Sequence, residues 1–227
     1  MTATERRLVL WDIDGTLISN DDNEEVLFVR ALEAVVGPVA EVVHPYRHGK
    51  TDLQQVTEYL LANGGSADDV AAGSRSLVEV SEAHFATPGE RIVQPGVREL
   101  IAALAEAGHV NALLTGNGPV RARLKLQSAA LDAGDFDFER SFFGAESAVR
   151  PELAHAAAAL AAEEGLVPVI IGDTAADGRA AADAGIGFVG VATGVYGVDQ
   201  LREVPHLVVV EDLATGAAAV LSALAGR

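Results

Sequence analysis

Asp12 and Asp14 stand two residues apart at the end of an apolar run, in Leu8-Val9-Leu10-Trp11-Asp12-Ile13-Asp14-Gly15-Thr16-Leu17. A short run of this kind, stopped by a glycine, predicts a buried strand. Side chains alternate along a strand, so the two carboxylates share a side wherever the strand geometry persists. Burying like charges is costly without a counter-charge. A hard divalent cation such as Mg2+, which prefers oxygen ligands, fits between them. Aspartate can also form an acyl phosphate, which makes Asp12 a candidate nucleophile. Asp14 is then the candidate general acid and base.

Other residues extend this chemistry. Asp173, in Val169-Ile170-Ile171-Gly172-Asp173-Thr174, follows a second apolar run and completes a metal set of Asp12, Asp14 and Asp173. Asp177 lies one helical turn further on, where it could reach the ion through water or orient Asp173. Thr115-Gly116-Asn117 follows a third apolar run. A hydroxyl and two backbone amides at the start of a helix make a candidate anion site. Arg150 directly precedes Pro151 and could neutralise phosphoryl oxygens bidentately. Lys50 follows Gly49 in a basic turn and is a candidate substrate contact reaching toward the same place. A nucleophile, an acid, a cation, an amide cradle and a divalent ion together suit phosphoryl transfer, which depends on positioning and charge stabilisation.

These residues need a scaffold that brings distant strand ends together. Apolar segments at 8–11, 110–114, 141–143, 167–171, 187–191 and 207–210 read as strands, separated by helical segments at 95–107, after Gly118 (carrying Val120, Leu124 and Leu126), and at 151–164, 175–184 and 213–224. That alternation predicts an α/β fold with a Rossmann-like parallel sheet. Ligands bind such sheets beyond the carboxyl ends of the strands, where Asp12, Thr115 and Asp173 all stand. Residues 20–91 read differently, as helices at 21–36, from Thr51, and at 67–85. Thr51-x-x-Gln54 has the form of a capping box. Gly37-Pro38, Asn63-Gly64-Gly65-Ser66 and Thr87-Pro88-Gly89 break the segments. The expected division is an α/β core of residues 1–19 and 92–227 with a small all-helical cap domain of residues 20–91.

Composition narrows the function classes. The 227 residues carry a formal net charge of −17, and Lys50 and Lys125 are the two lysines. No basic stripe is available for nucleic acid or for anionic lipid. There are no cysteines, so neither a thiolate nucleophile nor a thiolate metal site is possible. No apolar stretch is long enough to span a bilayer, and Asp12 interrupts any secretory apolar region. The expectation is a soluble, cytoplasmic protein whose partner is a small phosphorylated metabolite.

Asp12-Ile13-Asp14-Gly15-Thr16-Leu17 resembles the first motif of the haloacid dehalogenase superfamily. Leu113-Leu114-Thr115-Gly116-Asn117 is similar to its second, and Gly172-Asp173-Thr174-x-x-Asp177 to its fourth. Arg150 falls where the third motif carries its cation, more often a lysine. The resemblance implies a HAD-like core and an Mg2+ ion that the Asp14 backbone carbonyl also helps to hold. It further implies phosphomonoester hydrolysis through an aspartyl phosphate. The helical stretch resembles the cap of phosphoglycolate-phosphatase-like members, which makes phosphoglycolate the first substrate expected. A β-phosphoglucomutase-like phosphomutase shares the same core motifs. A catalytically silent phosphometabolite-binding protein is the alternative from another class.

Overall fold

Successive residues of the first strand are buried on opposite faces, and this dictates the layering. In a computed structural model, which describes residues 5–20, 24–39, 48–86 and 91–225, β1 (Arg7–Trp11) is buried along its whole length. Leu8 and Leu10 join one apolar cluster, while Val9 and Trp11 join another on the opposite face. A strand apolar on both faces needs helices above and below. The buried indole N–H of Trp11 donates to Asn111 Oδ1 at 3.0 Å, and Asn111 in turn donates to the Ile101 carbonyl.

The remaining strands are β2 (Val110–Thr115), β3 (Phe142–Phe143), β4 (Val167–Gly172), β5 (Gly187–Val191) and β6 (Val208–Val210). All neighbours are parallel, in the order β3-β2-β1-β4-β5-β6. The chain moves outward from β1 on one side, then returns to place β4 against its other edge. That reversal opens a crevice at the carboxyl ends of β1 and β4. One face is covered by α4 (Val97–Glu106), α5 (Pro119–Ser128) and α9 (Leu213–Leu224). The other is covered by α6 (Arg150–Glu164) and α7 (Ala175–Asp183). A short α8 (Val198–Leu201) precedes β6 and was not foreseen, because one helical turn carries no readable period. The third strand is shorter than expected. The Ser141 hydroxyl, rather than a backbone carbonyl, accepts the Leu113 N–H at 2.9 Å.

Three helices stand between β1 and α4: α1 (Glu24–Val36), α2 (Asp52–Ala62) and α3 (Val70–His84). They share an apolar cluster of their own that includes Leu27, Phe28, Leu32, Val56, Tyr59, Leu60 and Leu77. The expected helix 67–85 begins as a single 3-10 turn over Ala67–Asp69. There the Asp69 carboxylate accepts from both the backbone N–H and the hydroxyl of Ser66. Thr51 caps α2 by accepting from the Gln54 amide, but the Gln54 side chain donates to Glu58 instead of reaching back, so the expected capping box is half formed. The expected helix start at Asp21 and the Thr87-Pro88-Gly89 break lie outside the described residues. The chain leaves and re-enters the α/β layer through paired segments: Ser19 N–H donates to Ile92 O, and Gln94 N–H to Leu17 O.

Candidate active site

The strand ends at Trp11, and Asp12 and Asp14 therefore do not stay on one pleated face. Gly15, with φ of +85°, turns the chain, and the Ile13 carbonyl accepts the amides of Leu17 and Ile18. The two carboxylates diverge into separate cationic surroundings.

Asp12 is buried, and its Oδ1 accepts from Arg150 Nη2 at 2.8 Å. The same nitrogen lies 2.6 Å from Asp177 Oδ1 and donates to the Leu114 carbonyl at 3.3 Å. Arg150 thus ties the ends of β1, β2 and the α7 turn together from the first position of α6. Burial pushes the Asp12 carboxyl up to about 7; Arg150 opposes the rise, while Asp177 and Asp14 add to it. Burial, then Asp12 and Asp177, raise Asp173 well above the ordinary carboxylate range. Oxygens of Asp12, Asp173 and Asp177 lie within 4.8 Å of one another. Asp173 Oδ1 accepts from the Thr16 hydroxyl at 3.2 Å, whereas its buried Oδ2 has no hydrogen-bond partner. Asp177 is differently placed. Its Oδ2 caps α7 by accepting from Thr174 N and Oγ1, and its Oδ1 faces Arg150.

Asp14 turns away from that group. Its Oδ2 accepts from Lys125 Nζ at 2.6 Å and Asn117 Nδ2 at 2.8 Å, and its Oδ1 from Arg91 at 3.2 Å. Burial alone would raise this carboxyl, but Lys125 and Arg91 outweigh it and hold it well below the usual range. The two side chains, expected to share one cation, each have a protein cation beside them: Arg150 at Asp12, and Lys125 and Arg91 at Asp14.

Thr115 is fully buried at the end of β2, and its Oγ1 accepts from both the backbone and the side-chain amide of Asn117, at 3.3 and 2.9 Å. At the N-terminus of α5, next to the Gly116 and Asn117 amides expected to receive an anion, the Gly118 amide meets a carboxylate of the protein itself. Asp52 Oδ2, from the first turn of α2, accepts from Gly118 N at 2.7 Å. This is the favoured place for a carboxylate on a helix dipole. Gly116 lies under the preceding turn, where any Cβ would collide with the Lys50 carbonyl. Backbone bonds from Asp52 N to Gly116 O and from Leu53 N to Gly144 O hold that turn down. Lys50 borders the cavity, but its ammonium donates to Glu58 at 2.6 Å.

Two charged groups buried next to the candidate site had little signal in the sequence. Arg121 and Lys125 are both fully buried on α5. Arg121 pairs with Asp52, donates to Glu24 at 2.6 Å and to Ser81 at 3.0 Å, and lies 5.2 Å from the Phe28 ring centroid. Lys125 joins Asp14 to Glu24. One clue was available: an Arg and a Lys four residues apart share a helix face. Among the described residues, strand ends and helices α1 and α2 enclose a cavity of about 60 Å3 bordered by Asp12, Asp14, Thr115, Arg150, Glu24 and Gln55.

A family model described as haloacid dehalogenase-like hydrolase matches residues 6–185. The chain belongs to that family. Among curated proteins, this hydrolase is similar to Probable phosphatase IndB of Dickeya dadantii, with 25% identity and coverage of 90% of this chain and 89% of the relative. Its fold is similar to a hydrolase from Pseudomonas syringae, with a TM-score of 0.71, 21% identity and coverage of 96% and 99% of the two chains. It is also similar to a HAD hydrolase, family IA, variant 3, from Entamoeba histolytica, with a TM-score of 0.72, 17% identity and coverage of 97% and 100%. No described helix is long and apolar enough to cross a membrane.

Proposed function

We propose that this hydrolase cleaves a small phosphomonoester with Asp12 as nucleophile, and that the three helices over residues 24–84 form a cap on the α/β core. The observation that carries the reading is the buried Asp12–Arg150–Asp177 arrangement beside the open oxygen of Asp173. The Arg150 guanidinium holds Asp12 in place and supplies positive charge where phosphoryl oxygens would gather. Asp12 attacks phosphorus, and the bond to the leaving oxygen breaks as that oxygen takes a proton from Asp14. Water then attacks phosphorus, passes its proton to Asp14, and frees Asp12. Lys125 and Arg91 favour the ionised Asp14 that accepts the proton from water. Glu24 shares Lys125 from the helical side and so offsets part of its hold on Asp14.

The donor set fits a divalent cation. Three buried carboxylates meet one guanidinium, and the unpartnered Asp173 oxygen is a hard ligand of the kind Mg2+ prefers. Asp12 and Asp173 would hold the ion, while Asp177, whose Oδ1 lies 2.6 Å from Arg150 but accepts no hydrogen bond, would support them through water. Such an ion supplies charge neutralisation at the phosphoryl group.

Two outcomes test this. Phosphate release from an aryl phosphate is expected with Mg2+ and not with chelator. A panel showing no turnover under either condition overturns the reading. Separately, Mg2+ at about 100 times its Kd should stabilise the protein by about 2.7 kcal/mol. At roughly 2–4 °C per kcal/mol, that raises the melting temperature by about 5–11 °C. Asp173→Asn should remove the shift, and an undiminished shift in that variant would remove Asp173 from the metal set.

A further inference from the structure

Resting on the phosphatase reading above, we propose that the enzyme selects leaving groups that bear hydroxyls or an amine and no second negative charge, and that Gln55 is the selecting residue. The phosphoryl end of a substrate belongs at Asp12, Thr115 and Arg150, so its leaving group faces the wall of the cavity built by α1 and α2. Glu24, Glu25, Asp52 and Gln55 stand on that wall. Glu24 and Asp52 are already bound by Arg121 and Lys125, and the Lys50 ammonium is engaged by Glu58. Glu25 forms no ion pair among the described residues. A carboxylate or second phosphate entering here meets acidic groups whose cations are taken. Its desolvation is then uncompensated.

Gln55 is the second, independent observation. It is 8% exposed, borders the cavity, and its side-chain amide has no hydrogen-bond partner among the described residues. Neither amide atom is among the buried polar atoms left without a partner, so the amide opens onto the cavity, where a ligand group can take the place of solvent. An amide both donates and accepts. It therefore matches a hydroxyl, which does the same, and its oxygen can accept from an ammonium. Beside Glu25, a leaving-group carboxylate gains at most the donor half and is repelled. The helical cap by itself suggests phosphoglycolate, but the charges on this wall disfavour a carboxylate-bearing substrate.

The test measures kcat/KM with Mg2+ for four compounds: an aryl phosphate, glycerol phosphate, phosphoethanolamine and phosphoglycolate. Glycerol phosphate and phosphoethanolamine should each exceed phosphoglycolate by at least about tenfold, the scale of one unsatisfied hydrogen bond. Gln55→Leu should lower the ratio of glycerol phosphate to aryl phosphate turnover by about tenfold, with its melting temperature recorded alongside. Gln55→Glu, a near-isosteric second variant, should shift preference from glycerol phosphate to phosphoethanolamine. Phosphoglycolate as the best substrate overturns the proposal, as does a Gln55→Leu variant that lowers all four compounds alike. In either case, aryl phosphate turnover still upholds the hydrolase reading. No turnover of any compound overturns both.

Discussion

Asp12→Asn is expected to lower kcat by at least about 10³-fold, since a lost nucleophile leaves only binding and charge stabilisation to act. The same substitution should not weaken the fold. Asp12 is one of three buried carboxylates, and its folded pKa is pushed up to about 7 from 3.8. A carboxyl whose pKa is raised on folding binds its proton more tightly in the folded state. Its contribution is therefore favourable below the unfolded value and is lost as pH rises from about 4 toward 7. At pH 8 in chelator, the wild-type protein carries the full cost of that buried charge, and the amide variant does not. Arg150 keeps Asp177 at 2.6 Å when Asp12 is neutralised, so no cation is abandoned. The metal-free variant should thus melt at or above wild type at pH 8, with the gap closing near pH 4. Retention of more than a tenth of the wild-type rate would sink the nucleophile assignment. A lower melting temperature at pH 8 would show that the Asp12–Arg150 pair outweighs the crowding of carboxylates.

Local residue chemistry made much of the core legible. Leu8 to Trp11 is apolar without alternation, which is how a strand covered on both faces is written, and it lies at the centre of the sheet. Asp12 and Asp173 directly follow such a strand and Thr115 ends one, so a parallel sheet alone was enough to gather them. The surroundings of Asp14 were not legible. Lys125 is 111 residues away and Arg91 is 77, and neither belongs to a motif. Strand geometry implied that Asp12 and Asp14 point together, but strand geometry stops at Trp11, and the Gly15 turn separates them. Pro119–Ser128 reads as a helix with a polar face. That face is buried because Glu24, Asp52 and Ser81 arrive on three other helices to meet it. Long-range pairing of this kind leaves no periodic trace in the residues that make it.

Arg121→Met is expected to cause the largest loss of stability of any single change near the site. The guanidinium is 1% exposed and is the common partner of Asp52 and Glu24, whose side chains are 11% and 19% exposed. Methionine fills similar apolar space against Phe28, so packing is largely kept while the charge is removed. Two carboxylates then remain in a poorly hydrated interior with Lys125 and the Gly118 amide as their remaining partners. Removing one member of a buried ion pair costs about 3–5 kcal/mol, because the survivor's desolvation is no longer offset. For a chain of this size, that lowers the melting temperature by roughly 6–20 °C. The loss comes from unpaired charge rather than from a missing contact, and this distinguishes it from a cavity effect. Adding Asp52→Asn and Glu24→Gln to Arg121→Met should therefore recover most of the stability, a non-additivity expected only for groups in one network. The arginine also joins α1, α2 and α3 to α5, so the single variant should expose the helical insertion to proteolysis before the sheet. A single variant melting within about 2 °C of wild type would show that solvent, not Arg121, balances those carboxylates.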